Sequence, residues 1–280
     1  MIVIESAGIT DRGKKRQGNE DSLFVEDSLG LYVVADGMGG HQAGEVASRL
    51  VVDTIGDYIK NRRESADNGN PINGDETLSP EANRLMSGIH LSNKAVHEAA
   101  RSNSSYRGMG STVSAVYFTD GTFIAANVGD SPIYLIRDGR INLLSVPHTV
   151  LAEQTALDPE NAARLGKEFR HVLTRAMGTE ESVIADIYEI QCFKDDILVI
   201  SSDGLSDKAS PEEIQQLVDG NGSDAACRRL VDLANHRGGD DNITAIVLKV
   251  KTVKNTPWEF KRLVAMAKRI FFKITNINKI

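Results

Sequence analysis

The chain has 280 residues, 41% hydrophobic and 25% charged, which is typical of a soluble globular protein with one large domain or two small ones. No stretch reaches the roughly 18 consecutive apolar residues of a membrane span, and Glu5 interrupts an N-terminal apolar run that no basic segment precedes, which argues against a signal peptide. The net charge of −7 is uneven, because residues 251–280 hold eight basic residues and one acid; the acidic remainder argues against nucleic acid as a partner.

Strands and helices follow one another without internal repeats. Three strand-like runs, "MIVIESAGIT", "DSLFVED" and "GLYVVAD", precede a helix over "GEVASRLVVDTIGDYIKN". Residues 61–80 are polar and rich in Asn, Gly and Pro, which predicts a loop. Ser79 is placed to cap a second helix that has Pro80 at its first position.

The second half of the chain begins with three short β-rich runs, "STVSAVYF", "TFIAANVGD" and "PIYLIRDG". Asp120-Gly121 and Asp138-Gly139 are typical of hairpin turns. Residues 147–182 look helical and loop-like. The runs "SVIADIYEIQCF" and "DDILVISSDG", helices over 211–219 and 223–236, and a last strand, "NITAIVLKV", follow. Strands joined by hairpins predict an α+β fold of antiparallel sheets covered by helices.

Acids stand at several predicted strand ends. Asp36 closes "LYVVAD", Asp130 closes "FIAANVGD", Asp203 follows "DILVISSD", Asp240 and Asp241 precede the last strand, and Glu20 and Asp21 lie at a strand start. Each Asp-Gly taken alone can be a simple turn. If these ends converge, two carboxylates ~4 Å apart repel by about 4 kcal/mol at an effective dielectric of ~20. Such a group therefore needs cations.

Oxygen ligands without paired His or Cys select hard cations, namely Mg²⁺, Mn²⁺ or Ca²⁺. Several carboxylates exceed what one Mg²⁺ usually takes, so a two-metal centre that binds a phosphoryl group fits better. Arg16, in "KKRQGNED", is suited to gripping phosphate. The alternative is that residues 14–16 are only a solvated basic turn.

Seven motifs in order resemble the metal-dependent protein phosphatases of type 2C, the PPM family, in its bacterial form. They are "RQGNEDS", "VVADGMGGHQAGEVAS", "GMGSTVSAV", "NVGDSPIYLIRDG", "HVLTRAMG", "ISSDGLSD" and "GGDDNITAIVL". The resemblance covers roughly residues 5–250. It implies a four-layer α-β-β-α sandwich with two antiparallel sheets flanked by helices, and a dinuclear Mn²⁺ or Mg²⁺ site with a weaker third position.

Site roles follow from the resemblance by motif. Asp36 would bridge the two metals, Gly37 would offer its carbonyl, and Asp203 and Asp241 would complete the first metal's ligands. Glu20 or Asp21 would serve the second metal, directly or through water. Asp130 and Asp203 match the third position, and Arg16 matches the phosphate-binding arginine. The family attacks phosphorus with a metal-bound hydroxide and forms no phosphoenzyme.

The chain departs from the family at three places. Pro132 stands where the family usually has Arg, "PHT" (147–149) replaces "DHS", and His171 replaces Asn. The general acid is left unassigned among His41, His148 and His171, because the position that carries it in some members is Met38 here. These changes fall outside the expected metal ligands, and the resemblance implies that the flap over the site, roughly residues 145–182, sets the substrate preference.

Residues 258–274, "WEFKRLVAMAKRIFFKI", predict a basic amphipathic helix beyond the domain. Three interpretations of this helix compete: it packs on the domain, it docks on a partner protein, or it lies on an anionic membrane as a peripheral anchor. We therefore expect a catalytic domain over 1–251 and an extension over 252–280. Cys192 and Cys227 form no metal or redox spacing, so they are expected in the core of a cytoplasmic protein.

The leading hypothesis is a monomeric phosphatase that acts on phospho-Ser/Thr proteins and opposes a cognate Ser/Thr kinase. A haloacid-dehalogenase-type phosphatase needs Asp-x-Asp, but Asp36 is followed by Met38. A phosphatase-like domain that only senses or scaffolds should have lost ligands, whereas every matched position is intact.

Overall fold

The computed structural model describes residues 2–39, 43–64 and 75–253. The strands within these ranges are β1 (Ile2–Asp11), β2 (Asp21–Glu26), β3 (Leu31–Met38), β4 (Gly110–Ser111), β5 (Val113–Phe118), β6 (Thr122–Val128), β7 (Ile133–Arg137), β8 (Arg140–Leu143), β9 (Asp186–Gln191), β10 (Ile197–Ser201) and β11 (Ile243–Val253). The helices are α1 (Ala43–Glu64), α2 (Pro80–Ser102), α3 (Val150–Leu157), α4 (Pro159–Ala162), α5 (Asp203–Ser206), α6 (Pro211–Val218) and α7 (Ser223–His236), with short 3₁₀ turns at Ser104–Tyr106 and Lys167–Arg170.

Two antiparallel sheets form the centre of the fold. One has the strand order β1-β11-β10-β7-β8, and the other has the order β2-β3-β5-β6-β9, with β4 paired to β3. Alternation along each strand sends side chains to two different layers. In β3, Leu31, Val33 and Ala35 pack with α1 and α2, whereas Tyr32 and Val34 pack between the sheets.

Helices cover the outer face of each sheet. The helices α6 and α7 pack on the first sheet through residues such as Ile214 and Leu230, against Val199 and Val247. Both faces of the central strands are therefore buried, which explains their nearly continuous apolar sequences. The predicted four-layer α-β-β-α sandwich is confirmed.

Local signals place the element ends where the sequence predicts them. The Ser79 hydroxyl accepts a hydrogen bond from the Ala82 N–H at 3.1 Å and caps α2. Asp138 and Gly139 have φ values of 51° and 69°, the left-handed pair that a two-residue hairpin between β7 and β8 requires. Cys192 and Cys227 are buried free thiols.

Some short elements are absent from the sequence-based prediction, and β8 and α5 are examples. Among the described residues the exposed strand β8 pairs with β7 alone, and α5 is a single turn that begins at Asp203. Both are too short for a periodic apolar pattern to reveal. The predicted basic helix and most of the predicted extension lie outside the described residues, as does His41.

Strand direction brings the predicted acids to one edge of each sheet. The strands β3 and β6 are both antiparallel to β5, so they end at the same edge, and β2 begins there with Asp21 opposite Asp36. In the other sheet β10 ends beside the start of β11, since Ser201 pairs with Ala245. No helix within the described ranges is long and apolar enough to cross a bilayer.

Candidate functional site

A cavity of about 660 Å³ opens where these strand ends meet. Seven acidic residues line it within the described ranges, namely Glu20, Asp36, Asp130, Glu180, Asp203, Asp207 and Asp241. Arg16, Gly37, His171 and Arg175 also contribute to the walls. The structure thus brings together every predicted site residue except Asp21, which lies behind the wall.

Hydrogen bonds of its main-chain N–H and carbonyl with Thr112 hold Asp36 in place at the end of β3. Its N–H donates to the Thr112 hydroxyl at 3.0 Å, and its carbonyl accepts from the Thr112 N–H at 2.8 Å. The next residue must be glycine, because a Cβ on Gly37 would lie 2.0 Å from the carbonyl oxygen of Gly44. Close packing of the strand end against the start of α1 therefore fixes the direction of the Asp36 carboxylate.

The surroundings of Asp36 strongly disfavour the negative charge of its ionised carboxylate. Burial raises its pKa well above the ordinary value, and the carboxylates of Asp21, Asp203, Asp130 and Asp241 raise it further. These four groups are far apart in the chain, so their joint effect shows that they share one space. A cluster of this kind is unstable as a set of anions unless cations or protons offset it.

Asp130 lines the same cavity and repels Asp36. Burial, followed by the Asp203 carboxylate, raises the pKa of Asp130 to about 7. One ligand atom from each of Asp130, His171 and Asp203 can be chosen so that all three lie within 4.8 Å of one another. That spacing suits a single cation held by two oxygens and one nitrogen.

Asp21 lies behind the cavity wall and is 6% exposed. Its Oδ2 accepts hydrogen bonds from the hydroxyls of Thr244 at 2.6 Å and Ser202 at 2.7 Å. Burial nevertheless raises the pKa of Asp21 to about 7. Its Oδ1 is buried and has no hydrogen-bond partner among the described residues.

The residues present fit hard divalent cations. The cavity offers many carboxylate oxygens, which Mn²⁺ and Mg²⁺ accept, and burial followed by repulsion from neighbouring carboxylates raises the pKa of Asp36 and of Asp130. The unpartnered Asp21 Oδ1 is suited to accept from a water on such an ion. Glu20 lines the cavity itself, and burial raises its pKa above the usual value.

Arg16 lies at the rim, in the connection between β1 and β2. Its Nη2 donates to Asp241 Oδ2 at 2.7 Å, and its side chain is 48% exposed. The interpretation of residues 14–16 as a purely solvated turn is therefore wrong for Arg16. A guanidinium at this place can hold a phosphate at the mouth of the cavity.

Asn242 fixes the connection that carries Arg16 and Glu20. Its side-chain amide donates to the carbonyls of Arg12 and Gly18, both at 2.9 Å, and its Oδ1 accepts from the Glu20 N–H at 2.8 Å. This buried amide is a positioning group to which the sequence analysis assigned no role. Its place after Asp241 in the motif was the available signal.

The choice between the two adjacent acids before β11 is resolved geometrically. Asp241 lines the cavity, whereas Asp240 is exposed and pairs with Lys208 outside it. A carboxylate already neutralised by a lysine at the surface is poorly placed for a buried cation. The structure thus places Asp241, and not its neighbour, in the cluster.

The two histidines within the described ranges that were left unassigned differ in position. His148 is buried, and its Nδ1 accepts from the Gly129 N–H at 3.0 Å, so it supports the turn before Asp130. His171 faces the cavity, with Nδ1 3.3 Å from Asp203 and Nε2 3.2 Å from Asp207. Its hydrogen bond to Asp203 raises the pKa of His171. The sequence analysis named His171 but assigned it no role, although its replacement of a family Asn was a signal.

Comparison with known proteins gives a consistent result. The family described as protein phosphatase 2C matches residues 11–247. A putative protein phosphatase 2C-type of Streptococcus pyogenes is 34% identical over 243 residues, which cover 84% of this chain and 93% of that protein.

Solved structures agree with the sequence relatives. The serine/threonine phosphatase PstP/Ppp of Mycobacterium tuberculosis superposes with a TM-score of 0.75 at 28% identity, over 90% of this chain and 100% of that one. Stp1 of Staphylococcus aureus gives 0.74 at 31% identity, over 89% and 96%. With the family match over most of its length and the acid cluster at the sheet edges, the chain belongs to the protein phosphatase 2C family of PPM-type phosphatases.

Proposed function

We propose that this chain hydrolyses phosphoserine and phosphothreonine in proteins, with two Mn²⁺ or Mg²⁺ ions bound in the cavity. The convergence of Asp36, Asp203 and Asp241 from both sheets on one cavity carries the proposal. Supporting it, Listeria and Mycobacterium relatives are named serine/threonine phosphatases, and a PstP catalytic domain was crystallised with two manganese ions.

The side chains divide the ligand roles among them. Asp36 would bridge both ions, with the Gly37 carbonyl beside it on β3. Asp203 and Asp241, from the other sheet, would complete one ion's ligands. Glu20 lines the cavity and is suited to the second ion directly, whereas the buried Asp21 is suited to act through water. Bound ions would offset the carboxylate charge and activate water for attack on phosphorus.

A weaker third position would use Asp130 and Asp203. His171 lies at ligand distance from both, which gives this position a nitrogen donor. Imidazole favours Mn²⁺ over Mg²⁺ more than a carboxamide does, because nitrogen ligands bind transition metals better than they bind magnesium.

Arg16 would hold the substrate phosphate at the rim. Its present partner is Asp241, so the guanidinium and the cations share one carboxylate. The Asp241 carboxylate orients the guanidinium at this place, from which Arg16 would donate to phosphate oxygens. Asn242 keeps the Arg16 connection against the start of β11.

A direct test uses p-nitrophenyl phosphate and a phosphothreonine peptide. Activity should require added Mn²⁺ or Mg²⁺ and disappear in EDTA. Asp203→Asn should lower kcat/KM at least about 100-fold, since it removes a metal ligand. The matched variant Asp53→Asn, on the exposed face of α1, should be unaffected. Activity that survives both EDTA and Asp203→Asn would refute the proposal.

The remaining expectations concern the whole protein. We propose a catalytic domain over 1–251 and an extension over 252–280, and opposition to a cognate Ser/Thr kinase. Residues 258–274 lie outside the described ranges, and their packing, partner and membrane alternatives stay predictions. Liposome co-sedimentation with and without residues 253–280 tests the membrane alternative, and size-exclusion chromatography tests the expected monomer.

A further inference from the structure

A second concavity lies beside the catalytic cavity. It has a volume of about 710 Å³ and is formed by the end of α2, the 3₁₀ turn after it and the end of the flap. We call it the arginine groove and define it by His97, Arg101, Ser102, Arg107, Met109 and Thr179. Thr179 lines both the groove and the catalytic cavity, so the two are adjacent.

The groove is positively charged in an otherwise acidic body. Arg101 and Arg107 are both exposed, and neither has an ion-pair partner among the described residues. None of the described residues that line the groove is an aspartate or glutamate. The catalytic cavity next to it has seven acidic residues. Charge of opposite sign therefore lies on the two sides of Thr179.

Acidic residues mark the other limit of the groove. Arg101 also lines a neighbouring concavity that contains Glu98 and Glu181, and Lys94 pairs with Glu98 at 3.7 Å. The unpaired positive charge is thus confined to the strip between these glutamates and Thr179. A positive charge confined to so small an area attracts an anionic group to one defined place, whereas charge spread over the surface would attract anions without a fixed position.

The wall between groove and cavity is held rigidly by α2. The Gly178 N–H donates to Asn93 Oδ1 at 2.7 Å, and its carbonyl lies 3.1 Å from His97 Nδ1. The Asn93 amide also donates to the carbonyls of Glu180 at 3.1 Å and Glu181 at 3.2 Å. A Cβ on Gly178 would lie 2.2 Å from Val96 Cγ1, so only glycine permits this approach. The distance from the groove to the catalytic cavity is therefore fixed.

From this geometry we infer that the arginine groove binds an anionic residue that flanks the phosphorylated residue of the substrate protein. A second phosphate is the better ligand, because guanidinium groups bind phosphate through paired, charge-assisted hydrogen bonds. A carboxylate binds the same two arginines more weakly. The inference rests on the proposed function, and it names multiply phosphorylated or acidic segments as the preferred substrate class.

The test compares three sets of peptides that share one central phosphothreonine. The first set carries alanine, the second glutamate and the third a second phosphothreonine. In each peptide that residue stands at one of the positions −6 to +6, counted from the central phosphothreonine. Initial rates at the central residue give kcat/KM in Mn²⁺, and fluorescence anisotropy gives Kd in the Asp203→Asn background, where turnover does not interfere. We expect a second phosphate at the best position to improve Kd about 10-fold over alanine, and glutamate about 3-fold.

Two variants separate the groove from bulk charge. Arg101→Gln with Arg107→Gln should bring all three peptide sets to within about 2-fold of one another. Hydrolysis of p-nitrophenyl phosphate should not change, since that substrate does not reach the groove. Arg140→Gln with Arg229→Gln removes the same two charges from exposed positions on β8 and α7, on the other side of the sandwich, and should preserve the preference.

Equal Kd values for the three peptide sets in the Asp203→Asn background would overturn the inference. An equal loss of preference in Arg140→Gln with Arg229→Gln would also overturn it, because the effect would then be one of net charge. If the wild-type chain does not hydrolyse p-nitrophenyl phosphate in the presence of Mn²⁺ or Mg²⁺, the proposed function is refuted instead. The binding data would still decide whether the groove selects anionic neighbours.

Discussion

Removal of a cavity carboxylate should stabilise the metal-free protein while it weakens metal binding. The variant of choice is Asp130→Asn, because Asp130 and Asp203 offer oxygens within 4.8 Å of each other. At that distance two charges repel by about 0.9 kcal/mol at a dielectric of 80 and about 3.5 kcal/mol at 20. Attraction to His171 offsets part of this repulsion. We expect the free energy of unfolding in EDTA at pH 8 to rise by about 1–3 kcal/mol.

The gain should depend on pH in a defined direction. The pKa of Asp130 is about 7 in the folded protein, against an ordinary value of 3.8 in the unfolded chain. The folded state therefore binds a proton more tightly, and the stability that this proton contributes is complete below pH 3.8 and is lost as pH rises from there through 7. At pH 5 part of this stability remains, so the variant should gain less than at pH 8.

Urea unfolding followed by circular dichroism measures this effect at pH 5 and pH 8, in EDTA and in Mn²⁺. In Mn²⁺ the order should reverse, because the wild type binds the ion better and binding stabilises the folded state. Asp53→Asn on α1 serves as the control, since that exposed carboxylate lies in no cluster of the described residues. A variant less stable than the wild type in EDTA at pH 8, or a gain equal at both pH values, would refute the reasoning.

Three further variants test other parts of the structure. Gly178→Ala should lower the free energy of unfolding by about 1–3 kcal/mol through overlap with Val96, measured by urea unfolding; unchanged stability would contradict the close approach. Lys249→Met should lower the free energy of unfolding by about 1–3 kcal/mol, because the buried ammonium donates to the carbonyls of Val218, the last residue of α6, and Asn221, and activity should stay normal. His171→Asn should weaken the third Mn²⁺ site without loss of the other two, counted by calorimetry and electron paramagnetic resonance; equal affinity for all ions in both proteins would exclude a ligand role for His171.

The sequence by itself determined most of the secondary structure and the identity of the candidate ligands. Apolar alternation predicted the strands, Ser79-Pro80 predicted the start of α2, and Asp138-Gly139 predicted a hairpin. These signals are local, since capping, turn conformation and side-chain alternation depend on a few adjacent residues. The order of the seven motifs predicted membership of the protein phosphatase 2C family, and the comparisons with known proteins confirm it.

Only the tertiary structure decided which of these residues share a space. Asp36 and Asp203 are 167 positions apart in the numbering, and they meet because antiparallel pairing places both strand ends at facing sheet edges. Likewise, Asp241 lines the cavity and Asp240 does not, His171 faces the cluster, and Asp21 lies behind it. Burial, raised pKa values and the charge of the arginine groove arise from packing between distant segments, so no local pattern in the chain encodes them.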